Sequence, residues 1–567
     1  MSRILKYIQT ARARFGLYFH TLRYLSLRQI LSRFTYHIKR SSGQAVKQYP
    51  APTPGMSAKN FFLPDLDGKE FYEERYDVEE IKESHITLLH ECRKLTFSRT
   101  EHEDATPLWQ FNLQYMEYLI PLAHEYLVGK DPGWMILIED IVLDWLQSES
   151  PHKYHPYVIS KRLQNWLVVL GMLESDIPDD FRQLLLDSMY SQYLYLSKNL
   201  EHHLSANHLL ENLLTSALCS AYFDSRDRAV KHVDALIREL SRQILPDGMH
   251  YELSLMYHKI LLENLLRVSA VYEQIDPHRY RILIMYVEKM ISAASSLEEG
   301  MGRTPLFNDA GDNVAKDLSA LLKTSCDRFG VRVTQSNCYP DSGFYKLYDA
   351  DISMIIDAGA VGPNENSGHG HCDCLSFELS VHEMPLFVNQ GTYAYQTPWR
   401  SLFRSTEAHN TAIANAVQQS ECWSEHRVAR RSSHHQASLV DNRFRGSYRN
   451  YLGDTHSRTI ELDKRVLIVS DVFSTRSELT LLESYLRVAE PYSVHRVMDR
   501  IIVELNAMTV CVIYSTNSEY EIVEEGPQTF YAPDFGQLQK CTLIRFRTEN
   551  PNLCYIVDFR NGDMKYD

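Results

Sequence analysis

The hydrophobic period of this chain changes once, near residues 335–340, and that change limits the folds open to it. From about 80 to 330, apolar residues recur at three- and four-residue spacing. The runs are 107–128, 134–148, 158–173, 181–198, 206–223, 228–244, 251–273, 278–298 and 314–329. Breaks between them hold Pro, Gly, Asp or Asn, as in Lys130-Asp-Pro-Gly133. Amphipathic helices joined by short turns build a bundle, a solenoid or an α/α toroid, and no strict repeat separates the three. Beyond Asp341 the period is two, in Ser353–Asp357, Leu375–Leu379, Ser447–Tyr451, Arg465–Ser470, Ile501–Leu505, Val510–Tyr514 and Leu543–Phe546. Such runs at short intervals predict an antiparallel β-sandwich. The chain is thus α+β and multidomain: a basic arm and linker over 1–58, a helical domain over 59–337 and a β-domain over 338–567.

Charge is distributed unevenly. Residues 1–64 hold eleven Lys or Arg and no acidic residue, so the remainder carries 48 basic against 73 acidic side chains. An acidic body would repel a polyanion unless its groove is locally basic, because fields in a cleft are local. Arg400, Arg404, Arg427, Arg430 and Arg431 fall within 32 residues, beside His409 and His426. Within the arm, Leu5, Ile8, Phe15, Leu17, Leu22, Leu25, Ile30 and Phe34 make an amphipathic pattern. It reads as a helical arm packed on the body or as a peripheral contact with an anionic membrane. The proline-rich stretch 49–58 reads as a linker. Neither a secretory signal nor a spanning segment is evident, so the expected location is cytoplasmic or peripheral to a membrane, with the periplasm also open. The ten cysteines form no CxxC pair and indicate no disulfide framework.

Ser367-Gly-His-Gly-His-Cys-Asp373 precedes the alternating Leu375, Phe377 and Leu379. On a strand, His369, His371 and Asp373 would share one face, with Cys372 and Cys374 on the other. Gly368 and Gly370 let the backbone lie close to another segment or a ligand. His409 and Asn410 enter a second apolar run. Two histidine-bearing segments at strand entries suggest a site rather than core packing.

Several blocks, in order, resemble the heparinase II/III family of polysaccharide lyases and its alginate-lyase relatives. They are Ala206-Asn-His-Leu-Leu-Glu-Asn212, Asp247–His258, Gly368–Asp373, Gly391–Tyr395, Phe403–Thr411 and Arg427–Arg431. The resemblance spans roughly 100–567 and implies an incomplete α/α toroid followed by an antiparallel β-sandwich. It implies cleavage of a uronate-containing acidic glycan by β-elimination, with no nucleic-acid partner. It places Asn207, with His208 assisting, at the substrate carboxylate, and Tyr257 as acid toward the leaving oxygen, in some members also as base. His369 is the first choice for general base, since imidazole titrates near neutrality. Tyr395 matches a second catalytic tyrosine in some alginate-cleaving relatives. Arg400, Arg404 and Arg427 are candidate substrate-binding residues, Arg404 having Glu407 as an alternative partner. His371 and His409 match ligands of a zinc ion, with Asn389 where many relatives have an aspartate. An amide oxygen brings no charge to zinc, so a hydrogen-bonded histidine network is the alternative, and Asp373 would orient one of the rings. The resemblance leaves two other functions open. One is a glycan-binding or processing protein of exopolysaccharide or capsule production. The other is a toroid glycoside hydrolase, which needs two facing carboxylates.

Overall fold

The computed structural model describes residues 14–41, 46–98, 100–150 and 152–560. Leu5 and Ile8 of the arm lie outside these. Four helices stand side by side as an inner wall: Leu119–Gly129, Pro156–Leu173, Ala206–Phe223 and Leu255–Ile275. Each is followed by an antiparallel outer partner, Pro132–Gln147, Asp179–Lys198, Arg226–Gln243 and Pro277–Glu298, and the pairs form the incomplete toroid. Composition sorts the two layers. Arg226–Gln243 buries Ala229, Val233, Leu236 and Leu240 at three- and four-residue spacing and keeps its charges other than Glu239 off that face. Ala206–Phe223 is buried at every position except His208, and Pro156–Leu173 at every position except Tyr157 and Lys161. Proline at the first turn starts four of these helices, at Pro132, Pro156, Pro277 and the shorter Pro107–Tyr115.

The run 107–128 is two helices, not one. Met116 takes a left-handed conformation (φ 55°) and ends the first before Leu119–Gly129 begins. The short hairpin His85–Leu88 with Glu91–Lys94 also interrupts the helical region.

The β-region forms two antiparallel sheets of eight and ten strands, packed face to face. Phe377 and Leu379 from one meet Ile460, Leu467 and Val469 from the other in a common core. In Thr455–Asp463 every second residue is buried, as expected of a strand with one wet face. Ser376–Val381 is buried throughout because its other face meets the toroid. There Ser380 Oγ donates to the Met301 carbonyl at 2.9 Å, and Glu378 faces Arg303 at 3.6 Å.

The stretch 367–375 is a loop, and strand structure begins only at Ser376. The glycines explain the difference. A Cβ on Gly370 would stand 2.4 Å from the Val361 carbonyl oxygen, so the chain turns where it passes another backbone. His369, His371 and Asp373 therefore do not share a strand face. Across the sandwich, a buried Arg458–Asp471 pair holds both motif segments: Arg458 Nη1 donates to the Leu375 and Asn410 carbonyls at 2.8 and 2.6 Å.

Candidate active site

A cleft of about 550 Å³ opens between the inner helices and the loops of the ten-stranded sheet. Its helical wall includes side chains the inner helices leave unburied: Tyr157, Lys161, His208 and Tyr257. The sheet layer adds His369, Tyr395 and His426. Asn207, one residue before His208, lines the same cavity.

Asn207 lies in the first turn of Ala206–Phe223, where the N-cap position belongs to Ser205. Ser205 and Ala206 just before it both have positive φ (61° and 51°), a costly conformation for such residues that the surroundings must hold. Part of that hold is visible: the Asn207 N–H donates to Glu252 Oε2 at 3.1 Å. The side-chain Oδ1 is buried and without a partner among the described residues. His208 Nδ1 lies 3.1 Å from Glu201 Oε1. Burial opposes charge on this imidazole, but Glu201 outweighs it and raises the pKa. Glu201, though buried, is held down at about 2 by His208 and His155.

Tyr257 and Tyr395 come from different domains, and their hydroxyls meet at 2.8 Å. Burial, reinforced by neighbouring anions, raises both phenols well above their ordinary pKa. Both are therefore protonated at neutral pH. The Tyr257 ring lies 4.4 Å from that of His369, centroid to centroid.

Asp309 is the hub that the sequence did not reveal. It is fully buried between the layers and receives His369 Nδ1 at 2.8 Å, His371 Nε2 at 2.9 Å, Thr392 Oγ1 at 3.1 Å and both terminal nitrogens of Arg400. Although burial disfavours its charge, Arg400 and the histidines hold its pKa well below the carboxylate range. An ionised carboxylate only accepts, so each facing ring nitrogen must carry the proton. His369 then keeps a lone pair on Nε2, with Glu252 Oε1 3.8 Å away, beyond hydrogen-bond distance. His371 keeps its lone pair on Nδ1, which is buried and has no partner among the described residues.

That second lone pair belongs to a buried cluster. One ligand atom from each of His371, Asp373 and His409 lies within 4.8 Å of the others. His409 Nδ1 donates to Asn389 Oδ1 at 3.3 Å, and His409 Nε2 is likewise without a partner among the described residues. Two orphaned imidazole nitrogens and a carboxylate form a donor set that fits zinc. Asn389 is placed behind His409, with its oxygen facing that ring and the Asn410 N–H, and Asp373 takes the third position in the cluster.

The three arginines expected at the substrate are placed otherwise. Arg400 is buried on Asp309 and stacks on Tyr395, its guanidinium carbon 5.0 Å from the ring centroid. Arg404 is buried and donates to the carbonyls of Gly370, Ser424 and Glu425, while Glu407 accepts from Gln418. Arg427 lies over Trp423 and Tyr18 of the arm at 4.9 and 5.4 Å. The cations that do line the cleft are Lys161 and Arg75, the latter paired with Glu117 at 3.3 Å. Cys372 turns toward Cys422, sulfur to sulfur 3.7 Å, and both are free thiols.

Two family descriptions match almost end to end: "Heparinase II/III N-terminus" over residues 21–333 and "Heparinase II/III-like, C-terminal" over 332–551. The chain belongs to the heparinase II/III family. Among curated proteins it resembles a heparin-sulfate lyase of Pedobacter heparinus, 22% identical over 297 residues. That match covers 47% of this chain and 44% of the relative, less than half of either. A crystal structure of heparinase III superposes with a TM-score of 0.68 at 14% identity, covering 94% of this chain and 90% of the other. A mutant heparan sulfate lyase from Pedobacter heparinus gives 0.57 at 17% identity, over 95% and 89%. These likenesses establish the toroid-plus-sandwich fold of this heparinase II/III member.

Proposed function

We propose that the protein is a polysaccharide lyase that cleaves a uronate-containing acidic glycan by β-elimination. One observation carries the reading. An imidazole held at Nδ1 by a buried carboxylate presents Nε2 to the cleft that also holds protonated phenols and the side-chain amide of Asn207. The C5 proton of a uronate is too weakly acidic for an ordinary base until the adjoining carboxylate charge is offset. Asn207, donating through its amide N–H, and His208, whose pKa Glu201 raises, offset it. His369 Nε2 takes the proton from C5, the C4–O bond breaks as a C4–C5 double bond forms, and Tyr257 protonates the departing oxygen. Tyr395 positions the Tyr257 hydroxyl, and Asp309 fixes the tautomer of His369. His371, Asp373 and His409 would hold a zinc ion, which when bound would clamp the 367–375 loop to the segment carrying His409. Asn389 orients the His409 ring.

The test is to incubate the protein with a panel of uronate polymers, reading products by mass and by absorbance near the ultraviolet edge. Products carrying the unsaturated uronate support the proposal. Binding without turnover, or saturated products, would overturn it.

A further inference from the structure

The first two helices are docked with their apolar faces outward. Residues 14–22 and Leu27–Ser41 touch the body through polar and aromatic side chains. Trp423 Nε1 donates to Thr21 Oγ1 at 3.0 Å, Gln29 Nε2 donates to the Glu365 carbonyl at 3.0 Å, and Tyr36 stacks on His203 at 4.2 Å. Arg431 lies over the Tyr24 ring at 3.9 Å. The opposite side carries Leu27, Ile30, Leu31, Phe34 and Ile38, a three- and four-residue stripe along one helix face, and all five are exposed. Phe15, Phe19 and Leu22 continue it on the first helix. The exposures decide the point: Phe15 is 72% exposed, Leu27 79% and Phe34 68%. A helix packed only for stability would bury this stripe, and here it is exposed.

We infer that this stripe is a docking surface for an anionic lipid bilayer. The charge pattern selects the occupant. Residues 1–64 carry eleven basic residues and no acidic one, six of the eleven fall within residues 14–41, and Arg14, Arg23 and Arg28 are exposed there. The remaining chain is strongly acidic, so an anionic bilayer attracts this face and repels the others. A second copy fits poorly, because joining two such faces would bring two sets of like charges together. Basic helices with a Phe- and Leu-rich face lie in the plane of a membrane interface. Among the described residues no helix is long and apolar enough to cross a membrane, so the contact is peripheral. The arm rests on the segments around Glu365 and Trp423–Arg431, whose neighbours Asn366, Gly368 and His426 line the cleft. Attachment would therefore hold the cleft near the lipid surface. The inference does not depend on the reaction proposed for that cleft.

The test is flotation of the full-length protein with vesicles of phosphatidylcholine alone and of phosphatidylcholine with one-third phosphatidylserine. Binding should favour the anionic vesicles by about 100-fold or more, each engaged basic residue contributing about fivefold. It should fall as salt rises. The triple variant Leu27→Ser/Leu31→Ser/Phe34→Ser alters only exposed side chains, so its melting temperature should match the native protein, while partitioning should drop by at least about 100-fold. Equal binding to both vesicle types would overturn the inference, as would no binding at low salt or undiminished binding of the triple variant. A lipid-free dimer that the same variant disperses would also overturn it, in favour of an interface between copies.

Discussion

His369 and His371 are two residues apart and bond the same carboxylate, yet they face different environments. On one side of Asp309, His369 opens to a cleft containing phenols, an amide and a lysine. On the other, His371 belongs to a buried cluster with His409 and Asp373, and its Nδ1 has no partner among the described residues. The ring type and the anchoring carboxylate are the same, while the bonding nitrogen and the surroundings differ. One imidazole is left to exchange protons, and the other, which burial opposed by Asp309 holds down at about 4, is left to donate a lone pair. The Gly-His-Gly-His turn makes this possible, since a strand would have pointed both rings the same way.

The change that should do most damage removes the shared carboxylate. Asp309→Ala leaves Arg400 charged and unpaired in a buried site, which should destabilise the fold by roughly 3–5 kcal/mol. Denaturant melts would show that loss alongside lost turnover. Next come changes on the cleft side alone. Tyr257→Phe and His369→Ala should each lower kcat by about 10²–10⁴-fold with the melting temperature little moved. On the buried side, Asn389→Ala should weaken zinc binding by roughly 10–100-fold, read by competition with a chromophoric chelator, with much less effect on kcat. A kcat loss for Asn389→Ala as large as that for His369→Ala would erase the distinction between the two sides.

Lys161 gives a smaller effect. Lys161→Ala should raise KM about tenfold for an anionic polymer while kcat holds, as expected when a charge binds substrate and transition state alike. The smallest concerns the Glu201–His208 pair. His208 is raised above its ordinary 6.5, so its contribution is complete below that value and is lost as pH rises through the raised one. Glu201 is depressed from 4.5 to about 2, so its share is present above 4.5 and is lost as pH falls toward 2. The destabilisation caused by Glu201→Gln should therefore peak at roughly pH 5–6 and shrink on the alkaline side, measurable by melting across pH.

The helical and β-layers were legible because burial imposes period: Ala206–Phe223 and Pro277–Glu298 lie close to where the apolar spacing placed them. The cleft residues on the inner helices left a fainter mark. Tyr157, Lys161 and His208 are the positions that break otherwise buried helices, a signal readable only once those helices are known to be buried all round. Asp309 had no mark at all. It sits in a loop, Phe307-Asn-Asp-Ala310, and its importance comes from four partners 60 to 91 residues away in sequence. The arginines misled for a related reason. Clustering in sequence does not say whether a guanidinium faces a cleft, and Arg404 is spent on main-chain carbonyls that the turn at Gly370 and the loop at Ser424 leave unpaired.

The most direct measurement is hydrogen exchange at C5 of a uronate oligosaccharide in deuterated water, followed by mass alongside cleavage. With His369 as base and Tyr257 as acid, Tyr257→Phe should take deuterium into uncleaved substrate, whereas His369→Ala should neither exchange nor cleave. Exchange that persists in His369→Ala would contradict the assignment of the cleft-side imidazole as the base.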